Sequence, residues 1–449
     1  MTDLGQWLPR IIDAHQRWMN QFEPFSAHGS TMVSDRNLAA AVEQLSERLT
    51  DNYPFGHPRY VGQMLKPPHP AAVIGYLAAM LINPNAHALD GGPATAHMER
   101  EVVAKLAHVF SFDQHLGHLT SSGTIANLEA LWVARETHPG KAIAYSADAH
   151  YTHSRMCQVL GVAGVAIPVD ARGRMDLEAL AEVLATGDVG TVVATLGTTG
   201  LGALDPLPEI ITLCASVGVR VHVDAAYGGF FTIIADDSET GVASEPFAAI
   251  RRADSIVVDP HKHGLQPYGC GAILFRDPSI GRYYKHDSPY TYFTSDELHL
   301  GEISLECSRP GAAAAALWLT LEVLPLTDSG LGQILRACIA GARDWRTLIQ
   351  DSPEFSLYQE PELDIVTFFP SADRMTRVDE LSALLFANAA SAQQPIHLAM
   401  LGVSDSAMAM RHPEVTADAA TARIIRSTVM KPESSQVIGN IHEDLRKLV

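Results

Sequence analysis

An α/β fold with a mainly parallel central sheet, followed by a smaller C-terminal α+β unit, is the architecture this sequence predicts. Three observations lead there. From Ala142 to Phe275, short β-branched runs alternate with helical patterns, as they do when strands are joined by crossover helices. A composition of 47% hydrophobic and 18% charged residues supplies a core large enough for such a sheet. Beyond about residue 318 the alternation stops, and long helical patterns lead into three separated strand-like runs.

The strands of the first region are read at Ala142–Tyr145, Val165–Val169, Thr191–Thr195, Arg220–Asp224, Ile256–Asp259 and Ala272–Phe275. Helices between them include Leu177–Leu184, entered at Asp176, and Leu207–Cys214, entered through Asp205 and Pro206. Buried parallel strands with helices on both faces are the expected result. The later runs are Ile365–Phe369, Ile396–Ala399 and Ala422–Val429, with an amphipathic helix at Val378–Asn388. At 449 residues the chain exceeds one ordinary domain. We divide it into an N-terminal helical segment (1–70), a large α/β domain (71–318) and a small α+β domain (319–449). The boundary at 318 is soft because a helix is expected to bridge it.

A net charge of −19 argues against nucleic acid or an anionic membrane surface as a partner. The amphipathic start MTDLGQWLPRIIDAHQRW carries Asp3 and Asp13 and lacks the basic, then apolar pattern of a signal peptide. Ala71–Ile82 is too short to span a bilayer, and the stretch from Ala312 is broken by Glu322 and Pro325. A cytoplasmic location is expected. The five cysteines are scattered without a CxxC pair, which suggests neither a disulfide framework nor a metal site.

Four segments carry chemistry. In Val257-Val258-Asp259-Pro260-His261-Lys262-His263-Gly264 a lysine follows the end of an apolar strand. Such an amine forms an imine if it is deprotonated beside a carbonyl, although an ordinary surface lysine gives the same pattern. Val221-His222-Val223-Asp224-Ala225-Ala226 ends a buried strand in a carboxylate. Burying that charge needs a partner. A pyridinium nitrogen is one candidate, and the cap of a following helix is the other. The small Ala225 and Ala226 allow a flat ring against the backbone.

Thr120-Ser121-Ser122-Gly123-Thr124 runs into the helical pattern Leu128–Ala134 and offers hydroxyls, N–H groups and a positive helix end to a phosphate. Thr124 acting only as an N-cap would also explain it. Finally, Tyr145-Ser146-Ala147-Asp148-Ala149-His150-Tyr151-Thr152-His153 is a strand entering a His-bearing turn. An imidazole there can stack on a pyridine ring, or be one more structural histidine among 20. Position in the constellation favours His150 over His153.

Together these segments resemble the group II pyridoxal-phosphate-dependent decarboxylases, the family of aromatic L-amino acid, glutamate and diaminobutyrate decarboxylases. The resemblance runs from about His57 to Val429. Asp259-Pro260-His261-Lys262 is its most specific match; His57-Pro58-Arg59-Tyr60, Asp90–Glu99 and Gly197-Thr198-Thr199 are similar to further family segments. It implies the fold type I architecture of pyridoxal-phosphate enzymes and a homodimer with the active site at the subunit interface. The implied reaction converts an L-amino acid to its amine and CO2. The implied cofactor is pyridoxal 5'-phosphate, with Lys262 as the Schiff-base lysine, Asp224 as partner of the pyridine nitrogen and His150 as the stacking residue. Ser122, Gly123, Thr124 and His261 surround the phosphate, Thr199 and Ala226 lie near the ring, and Ser308 reaches the phosphate across the dimer interface.

On the same resemblance, Tyr290 in Tyr283–Tyr290 returns the proton to carbon after CO2 leaves, with Tyr284 and Tyr292 as competitors. His57, Tyr60 and Arg426 serve the substrate, Arg426 in the region of its carboxylate. Glu306-Cys307-Ser308-Arg309-Pro310-Gly311 departs from the paired arginines of many relatives. The tyrosine-rich loop and the neutral His57–Tyr60 segment point to an aromatic or other neutral substrate. An acidic amino acid, a carbon–carbon or carbon–sulfur lyase of the same fold, and a catalytically silent relative are the alternatives.

Overall fold

The computed structural model describes residues 4–285 and 304–449. Its centre is a seven-stranded sheet in the order β1-β7-β6-β5-β4-β2-β3. The strands are β1 (Leu116–Thr120), β2 (Ala142–Ser146), β3 (Gly164–Ile167), β4 (Val189–Thr195), β5 (Arg220–Asp224), β6 (Ser255–Val258) and β7 (Gly271–Phe275). β3, β2, β4, β5 and β6 pair in parallel, and β7 runs antiparallel to both β6 and β1. The mainly parallel sheet expected from the sequence is therefore present, with a single reversed strand.

The central strands are buried along their whole length, as Val-Gly-Thr-Val-Val-Ala-Thr in β4 shows; helices on both faces leave no wet side for polar alternation. At the edge, β3 is largely open. β1 was not legible, because Leu-Gly-His-Leu-Thr is too short and mixed to stand out as a strand. Its histidine is nonetheless fully buried, satisfied by Glu129 at 2.7 Å.

A second, antiparallel sheet has the order β10-β11-β9-β8, from β8 (Phe355–Gln359), β9 (Ile365–Pro370), β10 (Ala399–Ser404) and β11 (Thr421–Thr428). The strand read at Ile396–Ala399 is the lead-in to β10. There Ile396 and Leu398 are buried while His397 bridges to Tyr60, so the apolar residues precede the pairing itself. Helices Leu331–Gln350, Met375–Ser391 and Ser434–Arg446 cover this sheet around Trp345 and Phe368.

At the other end of the chain, α1 (Leu4–Met19) and α2 (Asp35–Leu49) bury none of their residues. Trp7, Trp18, Leu38, Val42, Leu45 and Leu49 are exposed. Two helices that position the site, α3 (Gly123–Thr137) and α4 (Thr152–Leu160), follow β1 and β2. No helix among the described residues is long and apolar enough to cross a membrane.

Candidate active site

Parallel strands end on the same side of a sheet, so the turns that follow them converge. Here the turns after β1, β2, β4, β5 and β6 line one cavity of about 240 Å³. Nine residues singled out in the sequence meet in it: Ser122, Gly123, Thr124, His150, Thr199, Asp224, Ala226, His261 and Lys262. Residues more than a hundred positions apart are brought together by strand register alone.

The N-terminus of α3 forms one wall. Ser122, rather than Thr124, is its N-cap: the Ser122 hydroxyl accepts a hydrogen bond from the Ile125 amide at 3.3 Å. The first N–H groups of a helix have no acceptor within it and carry the positive end of its dipole. A Cβ on Gly123 would stand 2.6 Å from Asp259 Oδ2, so only glycine lets the cradle approach the strand-end turn this closely. Lys262 answers from that turn, with Nζ 3.0 Å from Asp259 Oδ2. His261 Nδ1–H donates to the Cys270 carbonyl at 2.8 Å, which fixes the ring at the cavity wall.

Asp224 lines the same cavity. It is 5% exposed. Burial by itself raises a carboxyl, but the hydrogen bond from His153 at 2.8 Å, with Lys262 and the Ala226 amide, outweighs it and holds Asp224 below the ordinary carboxylate range. His150 takes a hydrogen bond from the Thr152 amide on Nδ1 at 3.2 Å, so its proton belongs on Nε2, and burial lowers its pKa. A flat, nitrogen-bearing aromatic with a phosphate fits this set: helix N-terminus, amine, buried carboxylate and imidazole lie around one cavity.

A second, wider cavity of about 740 Å³ adjoins the first, and His150, Tyr151 and Thr199 line both. Its walls include Leu201, Met400, Leu401, Val403 and Met410, together with Arg426. Arg426 sits on β11 between Thr367 and Ala399 and is 4% exposed. Its Nε and Nη2 have no hydrogen-bond partner among the described residues. Burial lowers its pKa, while Tyr227, Asp364 and Tyr60 support the charge.

Other predicted residues stand apart. His57 is exposed and accepts from the Arg59 amide at 3.1 Å. Tyr60 is buried under Lys431, and its hydroxyl accepts from the Gln63 amide at 3.3 Å. Ser308 is exposed and takes its hydrogen bond from Asn85 at 3.0 Å. None of the three lines either cavity within one chain. Tyr290 and Tyr292 lie outside the described residues. The remaining competitor, Tyr284, is 2% exposed and donates to Glu129 Oε2 at 2.9 Å. That engagement removes it from the cavities.

Three functional neighbours escaped the sequence reading. His153 was set aside in favour of His150, although three residues along a helical turn is the spacing that brings two side chains to one face. Asp259 opens the most specific motif, Asp259-Pro260-His261-Lys262, which marks it as a strand end and gives it no task of its own. Asp364 has no local signal. It stands just before β9, accepts from Tyr227 at 2.5 Å and lies 3.3 Å from His263 Nε2. It thus joins the chain next to Asp224 and Lys262 to the second sheet.

The geometry accords with what is known of other proteins. The family model described as the pyridoxal-dependent decarboxylase conserved domain matches residues 55–370. The L-tyrosine decarboxylase of Enterococcus faecium is 29% identical over 454 residues, covering 76% of this chain and 74% of its own. The probable L-tyrosine/L-aspartate decarboxylase of Methanothermobacter thermautotrophicus is 30% identical over 341 residues, covering 75% of this chain and 90% of its own. Among solved structures, Oryza sativa TDC with PLP and tryptamine superposes with a TM-score of 0.79 at 18% identity, covering 100% of this chain and 98% of that one. That last likeness speaks to the fold.

Proposed function

The chain belongs to the pyridoxal-dependent decarboxylase family and is a pyridoxal-phosphate-dependent amino acid decarboxylase, and from that premise we propose that its substrate is an L-amino acid with an aromatic or other neutral side chain. The observation that carries the choice is the wider cavity, where apolar Leu201, Met400, Leu401, Val403 and Met410 share the walls with a buried arginine, Arg426. An apolar side chain is favoured among the former. The substrate carboxylate is favoured beside the latter, whose Nε and Nη2 have no acceptor among the described residues.

Each residue then has a task. Lys262 would supply the amine that holds the cofactor. Ser122, Gly123, Thr124 and His261 hold the phosphate. Asp224 keeps the pyridine nitrogen protonated, His150 covers one face of the ring, and Thr199 and Ala226 border it. Pyridoxal phosphate, when bound, supplies an electron-accepting ring, so that the bond to the carboxylate can break with CO2 as the leaving group. Arg426 orients that carboxylate. Tyr290 would supply the proton that the carbon takes in place of CO2.

An acidic side chain is the second reading, favoured by Arg411 in the same cavity and by the L-aspartate in one relative's name. Arg411 is already engaged by Gln359 at 3.1 Å, by the Ala407 carbonyl at 3.2 Å and by the Tyr358 ring, which supports the neutral reading. Carbon dioxide release from L-tyrosine, L-phenylalanine, L-tryptophan, L-aspartate and L-glutamate separates the two. Higher kcat/KM for either acidic substrate than for all three aromatic ones overturns our choice.

The proposal extends to a cytoplasmic homodimer. The exposed apolar faces of α1 and α2 suit contact with a second copy, and the buried free thiols Cys157, Cys214, Cys270 and Cys338 suit a reducing compartment. His57, Tyr60 and Ser308, which line neither cavity of their own chain, are assigned to the site that the second copy would complete.

A further inference from the structure

Behind the residues that line the cofactor cavity, in contact with Asp224, His153 has no task in the scheme above. It lies in the first turn of α4 and is fully buried. Its Nε2–H donates to Asp224 Oδ2 at 2.8 Å. The other oxygen, Oδ1, accepts from the Ala226 amide at 3.1 Å. Asp224 is thereby gripped at both oxygens and has no rotational freedom, while its exposed edge still lines the cavity.

The second ring nitrogen of His153, Nδ1, is buried and has no hydrogen-bond partner among the described residues. The ring packs on Tyr145, centroids 6.1 Å apart and 29° between planes. His153 thus commits its one side-chain hydrogen bond among the described residues to Asp224 and favours the ionised form of that carboxylate.

We infer that His153 is a positioning residue of the reaction: it clamps Asp224 as an ionised carboxylate in the orientation that keeps the pyridine nitrogen protonated. The inference rests on the assignment of Asp224 to that nitrogen. A histidine serving only to fill the core would need its shape, not its Nε2–H. The two roles come apart in variants that separate ring from donor.

The test uses the reconstituted holoenzyme with pyridoxal phosphate labelled with ¹⁵N in the ring, whose chemical shift reports directly on the ring-nitrogen proton. Wild type is expected to hold the proton across about pH 6 to 9. His153→Phe, which keeps an aromatic ring against Tyr145 but loses the donor, is expected to release it within that range. Turnover should fall about tenfold or more, with KM changed far less, as expected for a lost charge-assisted hydrogen bond. His153→Gln, whose amide can replace the Nε2–H, should restore both the shift and most of kcat. A His153→Phe enzyme with the wild-type shift and kcat overturns the inference. If His153→Phe fails to fold, the comparison of His153→Gln with the shorter His153→Asn decides: equal shifts and rates in the two overturn it. Asp224→Asn is run alongside. A ring nitrogen still protonated in that variant sinks the Asp224 assignment itself, a result distinct from any of the others.

Discussion

Lys262 Nζ rests 3.0 Å from Oδ2 of Asp259, the residue that follows β6 and stands one turn before the lysine. The carboxylate is buried and the ammonium about one-fifth exposed, so the pair is held more firmly than a surface salt bridge. Asp259 Oδ1 has no hydrogen-bond partner among the described residues, so the lysine is its principal occupation. Covalent capture of the cofactor must break this contact. Asp259→Asn should therefore accelerate capture by the apoprotein by about tenfold, the kinetic equivalent of ~1.4 kcal/mol. Stopped-flow absorbance on mixing with pyridoxal phosphate measures it, and a slower rate would mean that the pair aims the amine instead of parking it. Lys262→Ala should bind the cofactor without borohydride-resistant attachment; labelling that persists would point to another lysine.

Gly123 tests the cradle. Its missing side chain is what lets the start of α3 lie so close to Asp259, where a methyl group would meet both carboxylate oxygens at 2.6 and 2.7 Å. Neither the helix backbone nor the strand-end turn yields cheaply to such an overlap. Gly123→Ala is expected to weaken cofactor binding by about tenfold to a hundredfold while leaving the sheet intact. Equilibrium dialysis of the cofactor, with circular dichroism as the control, gives the answer. Unchanged affinity would remove the helix N-terminus from the phosphate assignment.

The tyrosines divide between architecture and chemistry. Glu129 is buried and receives both Tyr284 at 2.9 Å and His118 at 2.7 Å on the same oxygen. Tyr284→Phe removes one of these donors and should cost about 1–2 kcal/mol of stability, read as a lower urea midpoint, with kcat within twofold of wild type. Tyr290→Phe should do the reverse, keeping the midpoint and losing at least about a hundredfold in kcat. If Tyr284→Phe is the one that loses turnover, the proton has been assigned to the wrong residue.

How much of this was legible follows from what each residue's signal depends on. Asp224, Lys262 and the Ser122–Thr124 turn are legible because each stands where an apolar run meets small or polar residues, and that junction is a local pattern. Asp176, read as the entry to a helix, accepts from the Glu178 and Ala179 amides; N-caps act within one turn. By contrast, the contacts of His153 with Asp224 and of Asp364 with Tyr227 join residues 71 and 137 positions apart. No periodicity encodes such pairs; they arise only when β5 is laid beside its neighbours. β1 was missed for a related reason: its partner β7 lies far along the chain, and its own five residues carry no alternation.

The buried histidine on β5 sets an acid limit on the fold. His222 is 1% exposed, with Nε2 2.9 Å from Asn127 Oδ1 and Nδ1 2.9 Å from Ser255 Oγ. Burial pushes its pKa down from 6.5 to about 3. The folded state thus prefers the neutral ring, whereas the unfolded chain takes up a proton near pH 6.5. The stabilising contribution is complete above that value and is lost as pH falls towards 3. Between about pH 7.5 and pH 5 this one group should remove about 2 kcal/mol from the unfolding free energy. His222→Gln cannot take up that proton and still offers an amide to the neighbouring side chains. Urea unfolding of the apoprotein at the two pH values should show the variant less stable than wild type at the higher one. The difference should shrink by about 2 kcal/mol at the lower. Parallel losses in both proteins would show that the acid sensitivity resides in groups other than His222.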